Sequence, residues 1–354
     1  MNATNTILGT FFHAIGGVSS ATCYTPSTQV KKWSWGTFWL TQSFFAWFLM
    51  PIIIGLITVP NFFQILLHAP HEAFWGAFLF GVIYGFGGMS FGFAIKHIGY
   101  SLTYTISIGI SAILGTLVPL IMKGTLVEYF TRPGSYIVIS GMLLSIIGIV
   151  MCGRVGFKKE NELQKNGNLF SFNMTKGLLL GLAAGVLSAF FNVSLELGQP
   201  ISDIAAAQGV GYFQGNAKLI VSTSGCFLVN MIWFIVLGTK DKTLKEFTSS
   251  SGISFNLRFK NFIWSALAGI LWCGQFFFYG LAHVFMGNYQ FVSWVLHMSM
   301  LIFFSYVVGI LMKEWGQVSK STYRLLIVSL FVLVMSFVLI SYGSYYGESI
   351  LSVK

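Results

Sequence analysis

GVIYGFGGMSFGFAIKHIGY, from Gly81 to Tyr100, aligns without a gap on GILWCGQFFFYGLAHVFMGN, from Gly269 to Asn288. Gly81 matches Gly269, Tyr84 matches Trp272, Gly92 matches Gly280, Ala94 matches Ala282 and Gly99 matches Gly287. Farther along, LIMKG at 120–124 corresponds to ILMKE at 310–314 after a shift of two residues. A weaker match pairs Gly17, Ser20 and Ala21 with Gly185, Ser188 and Ala189. The chain therefore reads as two related halves. How each half sits depends on what kind of segments carry the match.

Those segments are membrane spans. Of 354 residues 55% are hydrophobic and 8% charged, where an ordinary soluble domain carries roughly 25% charged residues. So few charges cannot coat a soluble globule of this length, and the apolar surface must face a bilayer. Apolar runs of spanning length occur at 5–25, 37–59, 74–95, 100–122, 135–153, 176–196, 215–238, 262–283, 289–312 and 323–343. The expected fold is an all-α membrane protein with ten transmembrane helices. Spans three and four, separated by Lys96 to Gly99, and spans eight and nine, turning at Gly287, are expected to be tight antiparallel hairpins. Period-2 alternation is absent, which argues against a membrane barrel.

Because each half holds five spans, an odd number, the second half enters the membrane upside down relative to the first. Two inverted five-helix repeats are the construction of secondary transporters, with a substrate site near the midplane. The expected organisation is a first repeat at 1–155, a cytoplasmic linker at 156–175 and a second repeat at 176–354. The odd-numbered loops and their flanks hold sixteen of the twenty Lys and Arg residues, leaving Lys123, Arg132, Lys218 and Lys354 for the even loops and the termini. By the positive-inside rule the odd loops are cytoplasmic and both termini periplasmic. The net charge of +10 is thus written into topology. No basic tract interleaved with aromatic residues suggests nucleic acid.

Polar groups within a span are costly and mark candidate sites. Trp272, Gln275 and Tyr279 share one helical stripe at spacing i, i+3, i+7. Two rings and an amide suit the faces and hydroxyls of a neutral sugar, and equally suit helix packing. Trp294 and His297 lie in span nine, the imidazole in mid-run, where it either carries a proton or binds a hydroxyl, or is a satisfied core histidine. His13, Gly17, Ser20 and Tyr24 fall on one face of span one. Glu196 and Asp203, in SLELGQPISDIAAAQG, flank Gln199 and Pro200, where a helix is expected to break and re-form. Either carboxyl is a candidate proton carrier, Asp203 being equally suited to cap an interfacial helix.

Catalytic and metal motifs are missing. No GxSxG, HExxH or Walker A occurs. The four cysteines, Cys23, Cys152, Cys226 and Cys273, lie in apolar segments without metal-ligand spacing. No cofactor is expected, and the chain does not read as an enzyme.

Several motifs together resemble a known family. They are His13 in FFHAIG, Tyr24 and Pro26 ahead of VKKWSW at 30–35, Trp47 and Pro51, PNF at 60–62, QFFFY at 275–279 with His283, SWVLHMS at 293–299 and LMKEW at 311–315. The chain resembles the L-rhamnose/proton symporter family of the drug/metabolite transporter superfamily, over nearly its whole length. It departs from the family pattern at Gly36, where an acid is usual, at Gln290, where some members have a carboxylate, and at Glu196 and Gln199, whose places are Asn and Lys in a well-known form of the motif.

The resemblance implies proton-coupled uptake of L-rhamnose, or a similar deoxysugar or pentose, across a bacterial cytoplasmic membrane. Sodium is the alternative coupling ion. Trp272, Gln275, Tyr279, Trp294 and His297 are then expected to line the sugar site, with His13 and Tyr24 facing them from the other half. Glu196, Asp203 or His297 would take the proton. A metabolite or drug exporter of the same superfamily, and an intramembrane enzyme or sugar sensor, are the competing expectations.

Overall fold

The computed structural model describes residues 5–165, 173–248 and 252–352. Helices make up nearly all of them, and no strand occurs among the described residues. In chain order the helices are α1 (Thr6–Thr22), α2 (Trp35–Phe44), α3 (Met50–Thr58), α4 (Phe62–Leu67), α5 (His71–Ile98), α6 (Tyr100–Met122) and α7 (Leu126–Thr131). They continue as α8 (Ser135–Lys165), α9 (Met174–Leu197), α10 (Gln199–Ala207), α11 (Asn216–Lys240), α12 (Phe255–Phe285), α13 (Ser293–Leu311) and α14 (Lys320–Leu351).

Nine helical stretches among the described residues are long and apolar enough to cross a membrane. α1, at 17 residues, is just short of the 20 or so that a straight span needs. The outward faces of the nine stretches carry large apolar side chains such as Ile57, Ile121, Phe255 and Phe331, as surfaces against lipid tails do. α2 and α3 are one stretch joined by a π-helical turn, Phe45–Leu49. Pro51 follows in the first turn of α3; lacking an N–H, it leaves this continuous stretch one ladder bond short. The hydroxyls of Ser34 and Ser319 accept from the backbone N–H groups of Thr37 and Thr322, starting α2 and α14 by N-capping.

Both expected hairpins turn at a matched glycine with left-handed backbone, Gly99 at φ +74° and Gly287 at φ +54°, where a side chain would be strained. After Gly99 the helix resumes at once as α6, whereas Gly287 begins a 3-10 turn, Gly287–Val292, before α13. That turn takes up the two-residue shift seen between the matched sequences.

The chain divides into two compact units. One comprises Met1–Val18, Gly87–Val193 and Leu281–Lys354, the other Ser19–Phe86 and Ser194–Gly280. Each unit draws on both sequence halves, because helices from one half pack on helices from the other. α8 carries helix through Lys165, well into the expected 156–175 linker; residues 166–172 lie outside the described ones.

In the first unit α8 and α14 lie backbone to backbone. A Cβ added at Gly141 would come 2.8 Å from Ile340, at Gly148 2.7 Å from Leu333, and at Gly343 2.9 Å from Val138. Small residues allow this approach, and close packing replaces the hydrophobic drive that is missing between helices in lipid.

Two further crossings in this unit share one construction. α1 meets the hairpin of α12 and α13 at Gly9, against Met286 and Ala282, and at Gly17, against Met300. α9 meets the hairpin of α5 and α6 at Gly177, against Ile98, and at Gly185, against Ile110. Gly9 and Gly17 stand in the same register to Gly177 and Gly185, as Met286 and Met300 do to Ile98 and Ile110 in the two matches described above.

In the second unit the matched glycines again make close backbone contacts. Gly81 of α5 abuts the backbone of Ser222 in α11, and Gly269 of α12 abuts the backbone of Gln42 at the end of α2.

Candidate functional site

The polar interior of the first unit centres on two histidines. His13 of α1 and His297 of α13 are both fully buried, with ring centroids 5.5 Å apart. The absent side chain at Gly17, one turn after His13, lets α1 approach α13 closely enough for the rings to meet. Imidazole is the side chain that exchanges a proton most readily near neutral pH. Two of them in contact inside a membrane unit form a candidate proton or hydroxyl site.

Trp294 lies one turn before His297, and its indole edge is committed: Nε1 donates to the Ser111 carbonyl at 2.8 Å. Gly115 of α6 makes room, since a Cβ there would sit 2.2 Å from that nitrogen. Asn192 of α9 donates to the Gly115 carbonyl at 2.8 Å, and the Phe191 ring stands 6.5 Å from the Trp294 ring. The hydroxyls of Ser111 and Ser293 are buried and find no hydrogen-bond partner among the described residues.

The second unit holds an aromatic group. The Trp272 ring is 5.0 Å from Trp47, nearly perpendicular, and 6.3 Å from Tyr84, near-parallel. Trp39 continues the chain of rings, 6.1 Å from Trp47 and 6.1 Å from Tyr24. Its Nε1 donates to Asn230 Oδ1 at 3.0 Å, and Asn230 Nδ2 donates to the Cys226 carbonyl at 2.9 Å. Trp47 belongs to the π-helical turn, a local widening that often marks a functional position. Its buried Nε1 has no hydrogen-bond partner among the described residues, an exception that calls for an explanation such as a ligand oxygen. Gln275 and Tyr279 are also buried in this unit.

Ionisable groups gather where the stretch Met174–Ala207 breaks. α9 stops at Leu197 and α10 starts at Gln199, with Gly198 between and Pro200 in the first turn of α10. Lys218, in the first turn of α11 and only 6% exposed, lays its stem on Gly198. Its Nζ donates to Gln199 Oε1 at 2.5 Å, and Gln199 Nε2 donates to Asp203 Oδ1 at 2.8 Å. Asp203 is exposed, Glu196 half-buried.

The sequence-predicted residues thus fall into two sets. His13, Trp294 and His297 belong to the first unit; Tyr24, Trp272, Gln275, Tyr279, Glu196 and Asp203 belong to the second. His13 meets His297 directly, whereas Tyr24 meets Trp39 and Trp35.

Sequence reasoning overlooked Lys218, read there as a loop charge, and Tyr84, whose match to Trp272 was a usable signal. It also missed Asn192 and Asn230, two buried amides in mid-span. Among the described residues no group of three His, Cys, Asp or Glu side chains is placed to hold a metal ion.

A family model described as "L-rhamnose-proton symport protein (RhaT)" matches residues 1–345. Among curated relatives, the L-rhamnose-proton symporter of Yersinia pestis (strain Pestoides F) is 30% identical over 341 residues, covering 95% of this chain and 98% of the relative. That of Pectobacterium atrosepticum is 31% identical over the same extent.

Proposed function

The chain belongs to the L-rhamnose-proton symport protein family, and on that ground we propose that it takes up L-rhamnose, or a closely similar deoxysugar or pentose, together with a proton. It is a multi-pass membrane transporter, not an enzyme. The match along almost the entire length of both chains is the observation that carries the proposal.

The further parts of the proposal are these. α1 joins the nine longer stretches as a tenth span, the halves form inverted repeats, and alternating access moves the sugar across a bacterial inner membrane with both termini periplasmic. The paired glycine crossings, Gly9 and Gly17 beside Gly177 and Gly185, support the repeats. The charge asymmetry of the loops supports the orientation.

Trp272, Gln275, Tyr279 and Tyr24 are assigned to sugar binding, the rings covering C–H faces and the amide pairing with hydroxyls. The unsatisfied Trp47 donor beside Trp272 supports a hydroxylated ligand there. His13, Trp294 and His297 are assigned to substrate hydroxyls or to the proton, and Glu196 or Asp203 to the proton. A proton crossing 100 mV contributes about 2.3 kcal/mol, enough for roughly fiftyfold accumulation. Sodium in place of the proton is the variant to test alongside.

The test is uptake of labelled L-rhamnose by proteoliposomes of the purified protein, with an inward proton gradient, an inward sodium gradient or neither. Accumulation only with the proton gradient is the expected result. Failure of both uptake and counterflow across a panel of deoxysugars and pentoses would overturn the assignment.

A further inference from the structure

The break between α9 and α10 carries more than two carboxylates. Lys218 is a buried cation of the second unit, held by its stem on Gly198 and by its ammonium on Gln199, which in turn holds Asp203. Charged and titratable groups near the break in the second unit are Glu196 at the end of α9, Asp203 on α10, Tyr212 in the turn before α11 and Tyr279 on α12, which also carries Arg258 and Lys260 in its first two turns. α5 carries His71 and Glu72 in its first turn, both exposed; α3 and α4 carry none.

A buried ammonium in a membrane unit is costly, and such groups persist where they face an opposite charge or serve transport. A symporter must change conformation in two forms, one carrying sugar and proton, the other empty. In the empty form the coupling carboxyl has given up its proton and carries a negative charge. Without a fixed cation nearby, that charge opposes the return step. Exchange of loaded for loaded carrier needs no such step.

We propose, building on the symport assignment above, that Lys218 is the fixed counter-charge that allows the empty carrier to return. Protonation of the carboxyl at the break accompanies sugar on the outside. Its loss inside leaves a carboxylate that the ammonium balances, with Gln199 as the hydrogen-bonding link. Lys218 is a positioning residue: it binds neither sugar nor the transported proton.

The test compares wild type with Lys218→Gln and Lys218→Arg in proteoliposomes, using labelled L-rhamnose in two assays. Counterflow reports loaded exchange, and uptake driven by an imposed proton gradient reports the full cycle. For Lys218→Gln, counterflow should stay within about twofold of wild type while driven uptake falls about tenfold or more. Lys218→Arg, which keeps the charge, should restore most of the driven uptake.

Equal loss in both assays, or no loss in either, would overturn the proposal. Should Lys218→Gln not purify as a monodisperse protein, Gln199→Ala, which cuts the link and keeps the charge, should give a milder split of the same kind. Equal effects on both assays in that variant would count against it. Failure of the wild type itself in both assays would instead strike the L-rhamnose assignment.

Discussion

The crossing of α1 with α13 and the crossing of α9 with α6 are built alike and furnished differently. Both close on a pair of glycines eight residues apart, Gly9 and Gly17 in one and Gly177 and Gly185 in the other. At the first, His13 faces His297. At the second, the matched positions are Gly181 and Ser107, and the serine hydroxyl donates to the glycine carbonyl at 2.9 Å. Such a crossing therefore forms without an imidazole pair. Two imidazoles are more than packing requires, and the surplus points to a proton or a sugar hydroxyl.

Breaking that comparison is direct. Giving the first crossing the furniture of the second, as His297→Ser, should leave a folded protein and lower proton-driven uptake of L-rhamnose by about a hundredfold. Unchanged uptake would reduce the histidine pair to packing. The aromatic group of the second unit provides the next effect. Trp272→Leu should raise the KM for sugar about tenfold, a loss near 1.4 kcal/mol, with little change in counterflow at saturating sugar.

Smaller effects sharpen the comparison. At Gly185 an added methyl would lie 2.8 Å from the Ser107 carbonyl and from Ile110 Cβ, whereas at Gly17 its nearest contacts are 3.0 to 3.2 Å. Gly185→Ala should therefore cost more than Gly17→Ala, about 1–3 kcal/mol by overpacking, read as a lower midpoint in a thermal aggregation assay. Ser107→Ala should cost about 0.6 kcal/mol, the ordinary worth of one hydrogen bond within a membrane bundle, and leave transport within about twofold.

Much of this architecture was legible because lipid imposes a crude length rule. The positions of the apolar runs follow from it, the hairpins at Gly99 and Gly287 from the short gaps between runs, and the interruption beside Gln199 from Pro200. Facing was not legible. Helices that are apolar on most sides carry only short polar stripes, such as that of Trp272, Gln275 and Tyr279, which mark an inward face but not the helix it meets, so the partition of the site residues between two units had to come from long-range contacts.

Charges misled for a related reason. Lys218 and Lys159 look like loop residues, yet both are buried. Lys159 pairs with Glu314 at 3.1 Å beneath the Trp315 ring. A long aliphatic stem lets lysine run inside a helix packing and still reach a partner. The π-helical turn at Phe45–Leu49 left no mark in the composition of the run, so Trp47 stood out only through its family motif.

Proton movement is the central claim, and a pH electrode reads it most directly. L-rhamnose added to a lightly buffered, de-energised suspension of proteoliposomes should make the medium alkaline with wild-type protein and leave it unchanged with His297→Ser. Sugar entry by the wild type without alkalinisation, or with acidification, would contradict proton symport.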